Sequence, residues 1–313
     1  MENQIDLITV GESIIELSSD KDFKDATCFD KFYGGDAIVT AITAARFGVK
    51  TGYITCVGDD PFKDFLLNEW KKENLNTDFV RTVPEQNAIA LISRHDGKPK
   101  ELALYRKKTA AQKLSLDDTK ADYIKSAKYF YTTGITQSLS LSAREAVKKS
   151  YKIAKENHII TAYDPNYKKT VTTPEAAREC FEDVISNIDI LFLSGTNDIP
   201  VFFESKSIDN VIKYCWDLGI QIVVVKSTEN SGYYTGCNGE IVFNEYFAKT
   251  IVDTTCSGDA FNGAFLSALI KGKTPNEATK LGTIVSGLQA QKIGAIKSIP
   301  TLEEVKEITH KVE

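Results

Sequence analysis

Histidine is scarce in this 313-residue chain, which holds only His95, His158 and His310. None lies near a cysteine, and the six cysteines (Cys28, Cys56, Cys180, Cys215, Cys237, Cys256) include no C-x-x-C pair, so zinc-ligand spacing is absent. No N-x-S/T sequon occurs, and no apolar run approaches the ~18 residues of a membrane span. Basic excess is missing too. Lys and Arg total 38 against 43 Asp and Glu, and the net charge of −5 removes the chain-wide footprint of nucleic-acid binding. The opening Met1-Glu2-Asn3-Gln4-Ile5-Asp6 is polar and acidic, unlike the basic start of a signal peptide. With unpaired thiols, this predicts a soluble cytoplasmic protein with neither membrane nor nucleic acid among its partners.

What is present is ordinary globular composition, 42% hydrophobic and 26% charged. The mass predicts a folded area of ~13,000 Å² against ~50,000 Å² unfolded, enough to bury a large core without disulfide or metal. Leu7-Ile8-Thr9-Val10 reads as a strand ended by Gly11, and residues 37–47 as a helix followed by Gly48. A helix near 62–74 precedes a polar hairpin, with strands at 88–93 and 101–105 around His95-Asp96-Gly97-Lys98-Pro99. From residue 126, strands near 128–133, 159–164, 188–194 and 220–226 alternate with helices near 142–157, 174–186 and 207–218. That alternation implies βαβ crossovers and a parallel sheet covered on both faces. Helices near 257–270 and 275–292 follow, and no linker or repeat divides the chain. The prediction is one doubly wound α/β domain, with the early strands forming a small separate sheet.

Val252-Asp253-Thr254-Thr255-Cys256-Ser257-Gly258-Asp259-Ala260-Phe261-Asn262-Gly263 is the stretch richest in chemistry. The stripe Ala260, Phe261, Ala264, Phe265, Ala268, Leu269 starts a helix near Cys256 and Ser257, whose free N–H groups and dipole make an anion site. Gly258 admits a ligand close to the backbone, and Asp259 in the first turn would take a proton from a hydroxyl. The plainer reading is that Asp259 only favours its own helix dipole.

Gly34-Gly35-Asp36, before the helix at 37–47, offers close backbone approach and a carboxylate for hydroxyls, or simply an N-cap. Asp164-Pro165-Asn166-Tyr167-Lys168 falls at the end of a predicted strand, where open α/β sheets bind ligands, or is an ordinary turn. Tyr105-Arg106-Lys107-Lys108 is a cation group for an anion, or a solvated face. Gly272-Lys273-Thr274 resembles the end of a P-loop, but it follows a helix instead of preceding one.

Together these segments resemble the ribokinase-like (PfkB) carbohydrate kinase family, and within it the 2-keto-3-deoxygluconate kinases. Val252 to Gly263 is similar to the signature D-T-T-G-A-G-D-A-F, Gly34 to Gly48 to the glycine-pair signature, and Val10 to Ser18 to the ketodeoxygluconate branch. The resemblance implies an ATP-dependent sugar kinase with Asp259 as general base and the Cys256–Gly258 backbone as anion hole. It implies MgATP, with adenine-side contacts from Lys226, Ser227 and Thr228 and from Ser286, Gly287 and Ala290. A monovalent cation, K+, is implied near Asp253 and Thr255. Gly34, Gly35, Asp36, Tyr105, Arg106, Asp164, Asn166 and Lys168 would bind the sugar or sugar acid. Strands from roughly 11–35, 50–57 and 86–106 would form a β lid on a single ribokinase-like domain of 1–313, and the lid would form a homodimer.

Several positions depart from the family pattern. The first signature glycine is Cys256, the asparagine expected after Gly-Gly-Asp is Val39, and tyrosines expected on the lid match Ala90 and Leu104. The turn's arginine is Lys168, which keeps charge but loses the bidentate fork. N-x-x-E reads Ser194-Gly195-Thr196-Asn197, and K-x-G-x-x-G reads Lys226-Ser227-Thr228-Glu229-Asn230-Ser231. Two alternatives therefore stand beside the sugar-acid kinase: a kinase of a neutral sugar or nucleoside, and a low-turnover binding homologue.

Overall fold

In the computed structural model, which describes residues 5–95, 98–204, 207–248 and 250–309, thirteen strands form two sheets. The strands are β1 Ile5–Val10, β2 Ile14–Ser19, β3 Asp30–Gly34, β4 Thr51–Gly58, β5 Val80–Val83, β6 Ala88–His95 and β7 Lys98–Tyr105. Then come β8 Ala127–Thr133, β9 Ile160–Asp164, β10 Ile190–Ser194, β11 Ile222–Ser227, β12 Gly232–Cys237 and β13 Glu240–Glu245. The larger sheet runs β13-β12-β11-β10-β9-β8-β1-β4-β5, parallel from β11 to β5 and closed by the antiparallel β12–β13 pair. The smaller runs β3-β2-β6-β7.

Parallel strands buried on both faces need apolar side chains at every position, and these have them. Ile8, Phe130, Leu191, Val223 and Val225 enter one apolar cluster, while Leu7, Tyr131, Phe192 and Val224 enter another on the opposite side. Phe192 meets Phe265 of the Ser257–Ile270 helix edge to face, ring centroids 5.4 Å apart. That helix packs on the helix Asp36–Arg46 so closely that a Cβ on Gly263 would lie 2.5 Å from the Thr40 carbonyl oxygen. The predicted sheet and its crossovers are present, and the helix at 257–270 matches to the residue.

Three expectations need correction. The strand near 50–57 does not belong to the small sheet: β4 pairs in parallel with β1 and β5, and all eight of its residues are buried, as a central strand requires. The helix predicted over 174–186 stops at Glu182 and gives way to a short 3-10 turn, Ile185–Asn187. The final long helix ends at Gln289 instead of 292. The hairpin's strands extend to His95 and start again at Lys98, and residues 96 and 97 of its turn lie outside the described residues.

Strand order reverses between β1 and β8. From that switch point β4 and β5 run one way and β9, β10 and β11 the other, so loops at the carboxyl ends diverge and leave a crevice. Thr133, Asp164, Ser194 and Lys226 all sit at carboxyl ends of strands bordering it, and Glu12 follows β1. No described helix is long and apolar enough to cross a membrane.

Candidate active site

One cleft at this edge is lined by Asp164, Asn166 and Lys168 after β9, by Ser194 to Asp198 except Gly195 after β10, and by Lys226 and Thr228 at β11. Its floor is the start of the signature helix, with Thr254, Cys256, Gly258, Asp259 and Asn262. Cys256 precedes the helix in a left-handed conformation, φ 59°, and no side chain caps the helix. The Ser257 N–H already donates to the Thr254 carbonyl at 3.1 Å, which leaves the next N–H groups of the first turn, at Gly258 and Asp259, for an anion. A Cβ on Gly258 would meet nothing within 4 Å, so this position opens onto the cleft.

Asp259 is buried, and Asn166 Nδ2 donates to its Oδ1 at 3.1 Å. Asn166 reaches it from a left-handed turn, φ 44°, stabilised by its own N–H to Asp164 Oδ1. Burial first, then the nearby Asp36 charge, pushes the Asp259 carboxyl up to about 7, against the pull of Lys168, the Cys256 thiol and Lys226. That value suits a general base working near neutral pH. Asp164 is raised well above its ordinary range by burial and by Asp198 and Asp259; burial raises Asp198 to about 6. Lys226, buried beside Lys168, is pushed down. Four ionisable groups whose environments disfavour their charges therefore face one cleft, as functional sites do.

Asp36 is drawn into the same field but is internally committed. Its Oδ1 accepts the Ala37 N–H at 2.8 Å and its Oδ2 the Thr133 hydroxyl at 2.5 Å. Gly35 is required in front of it, because φ is +128° and a Cβ would lie 2.4 Å from the Glu12 carbonyl oxygen. Arg106 does not reach this cleft as a free cation. Its Nε donates to Glu12 Oε2 at 2.5 Å, and with exposed Tyr105 it lines a separate hollow beside Asn87, Leu104, Lys107 and Lys108. Burial raises Glu12 to about 7 despite that guanidinium.

Of the adenine-side residues, Lys226, Ser227 and Thr228 border a groove with Tyr233, Tyr246 and Ile251. Ser286, Gly287 and Ala290 stand behind its wall, a correction to the expected direct contact. The Ser286 hydroxyl meets the Tyr233 hydroxyl at 3.2 Å, its carbonyl accepts from Tyr246, and Gly287 packs against the Phe247 backbone. Ala290 is fully buried and its carbonyl accepts from Val252 and Asp253. The monovalent cation expected at Asp253 and Thr255 does not fit either, because Asp253 is already paired with Arg94 at 2.7 Å.

Sequence reasoning missed Glu12, Asn262, Asp198 and Arg94. Asn262 follows Asp259 by three residues, so it shares its helix face, and its Nδ2 donates to Asp164 Oδ2 at 2.7 Å. That spacing was a readable signal. Asp198 was not readable: it accepts the N–H groups of Ser194 at 2.6 Å and Tyr167 at 2.9 Å, joining two loops that only folding brings together.

Phosphoryl transfer depends on positioning and charge neutralisation more than on covalent help, and those are what this cleft supplies. The chain belongs to the pfkB family of carbohydrate kinases, which it matches over residues 4–302. Among curated relatives it is 27% identical to an ATP-dependent 6-phosphofructokinase of Thermoanaerobacterium thermosaccharolyticum, covering 97% of this chain and 94% of that one. It is also 27% identical to a 5-dehydro-2-deoxygluconokinase of Listeria innocua, covering 97% and 96%. Its fold is similar to that of a ribokinase-II-like E. coli protein in complex with ATP and Mg2+ (TM-score 0.90, 23% identity, 98% and 99% covered). A 2-dehydro-3-deoxygluconokinase of Thermotoga maritima shares it as well (TM-score 0.87, 20% identity, 98% and 100% covered).

Proposed function

We propose that this kinase phosphorylates a hydroxyl of 2-keto-3-deoxygluconate or a related sugar acid, with Asp259 as the general base. The observation that carries the reading is the placement of Asp259: a buried carboxylate beside the open Gly258, in the first turn of a helix whose Gly258 N–H is left for an anion. Asn166 holds one carboxylate oxygen and leaves the other to accept the hydroxyl proton. Within the Cys256–Gly258 backbone, the Cys256 and Gly258 N–H groups would stabilise charge developing on the transferred group, the Ser257 N–H being turned to the Thr254 carbonyl, and Lys226, 3.5 Å from the Ser257 hydroxyl, adds a cation there. The groove of Tyr233, Tyr246 and Ile251 suits an adenine ring, and ATP supplies the phosphoryl group when bound. Asp164 and Asp198, carboxylates in no ion pair among the described residues, are placed to meet the magnesium that ATP carries, directly or through water. Lys168 lines the cleft as the cation for a substrate carboxylate. Of the two curated relatives described above, one is named for a sugar phosphate and the other for a sugar acid, and the second favours this reading.

A neutral-sugar kinase is the second reading, favoured by the commitment of Arg106 to Glu12 and by the buried, apolar Val39. ADP release from MgATP over 2-keto-3-deoxygluconate, 5-dehydro-2-deoxygluconate, fructose, fructose 6-phosphate and ribose separates the two. Selectivity for a carboxylated sugar supports the first, release with fructose or ribose alone the second, and no release with any of them a low-turnover binding homologue. The proposal includes a homodimer through the small sheet, where Leu102, Leu104 and Tyr105 are exposed. Sedimentation at micromolar concentration tests it.

A further inference from the structure

Arg94 belongs to β6 of the small sheet, yet it is only 5% exposed because its guanidinium crosses to the main body. Its Nη1 donates to Asp253 Oδ2 at 2.7 Å and its Nε to the Ser18 hydroxyl oxygen at 3.0 Å. The other Asp253 oxygen, Oδ1, accepts the Thr255 N–H at 3.0 Å and the Thr255 hydroxyl at 2.6 Å. The Gly294 N–H approaches Oδ2 at 3.4 Å. Backbone oxygens nearby are engaged too: Ala290 accepts from Val252 and Asp253, and Thr255 from Gln289 Nε2 at 2.7 Å. A potassium ion needs several unclaimed oxygens around one point, and here those of Asp253, Ala290 and the Thr255 carbonyl each already accept a hydrogen bond.

Glu16 completes the cluster from β2. It is buried, lies in the field of both Arg94 and Asp253, and its Oε2 has no hydrogen-bond partner. Gly34 leaves room for it, since a Cβ there would stand 2.4 Å from Glu16 Oε1. One guanidinium thus serves two buried carboxylates at the junction of the two sheets. Asp253 in turn fixes Thr255, the residue before the left-handed Cys256 that opens the anion hole.

We propose that the Arg94 guanidinium is the fixed cation of this kinase: it neutralises Asp253, positions the Thr254–Gly258 loop, and makes nucleotide binding independent of added potassium. Arg94 acts through Asp253, so it is a positioning residue. Replacing it with alanine leaves two buried carboxylates unneutralised around a cavity lined by the oxygens of Asp253, Glu16 and Ser18, which is chemistry a small cation can fill.

The test measures MgATP affinity by the shift it causes in thermal melting, in potassium chloride and in N-methylglucamine chloride of equal ionic strength. Because the readout is nucleotide binding, failure to find the sugar does not touch it. Wild-type affinity is expected to agree between the two salts within about twofold, since no added ion enters. Arg94→Ala should bind MgATP at least ~10-fold more weakly in N-methylglucamine and recover in potassium, while Arg94→Lys stays within ~10-fold of wild type in both. A merely structural role would lower melting equally in both salts, without selective recovery, and would overturn the proposal. So would wild-type binding strengthened about tenfold by potassium, an outcome that needs no variant to fold.

Discussion

Asp259→Asn separates the charge of the base from its shape. The amide is isosteric, and its oxygen can still accept from Asn166 Nδ2, now 3.1 Å from Oδ1. What disappears is the capacity to accept a hydroxyl proton, worth about 10²–10⁴-fold in kcat for a positioned base. Stability should move the other way. The folded state raises this carboxyl from 3.8 to about 7, chiefly by burial. A group raised in the folded state stabilises it fully below the unfolded value and loses that contribution as pH rises through about 7. Asparagine has no such loss, so the variant gains on the order of 1–4 kcal/mol above neutral pH. The assay pairs ADP release at saturating sugar with melting curves near pH 5 and pH 8. We expect kcat to fall at least ~10²-fold while the melting advantage of the variant grows toward the higher pH. Retention of more than about a tenth of kcat refutes the base role. Lower melting at both pH values would instead make Asp259 a structural support of its helix.

Lys168→Met removes a charge that holds the Asp259 carboxyl down, so the acid limb of kcat/KM should move to higher pH and KM for a sugar acid should rise; an unmoved limb refutes the coupling. Glu16→Gln should raise the melting temperature near pH 8, because burial lifts Glu16 from 4.5 to about 7. That gain is at most about 3 kcal/mol and shrinks toward pH 5, and a pH-independent difference would count against it. Val39→Asn, which restores the family residue, should cost about 1–3 kcal/mol in urea unfolding, because this position faces the apolar core and offers the amide no partner. Improved turnover without loss of stability would show that the side chain reaches the sugar.

The sheet and its crossovers were legible because burial on both faces demands continuous apolar strands, a demand visible locally in Val223-Val224-Val225. The signature helix was equally legible, since its apolar stripe, Gly258 and Asp259 lie within one short segment. The β12–β13 hairpin was missed although Asn238-Gly239, both with positive φ, carry a turn signal at its tip. β4 was misplaced because strand composition says nothing about which sheet a strand joins; parallel pairing between β1 and β5 decides that.

The amino-acid order alone determined the fold class and marked the residues proposed to bind an anion and accept a proton, because those depend on neighbours along one helix or turn. Tertiary structure alone decided which charges are free. Arg106 is matched by Glu12, which stands 94 residues away in sequence, and Arg94 by Asp253, 159 residues away. Such pairings depend on how strand order brings distant loops to one edge, and desolvation there sets the carboxyl of Asp259 near neutrality. Burial and long-range charge exist only in the folded chain.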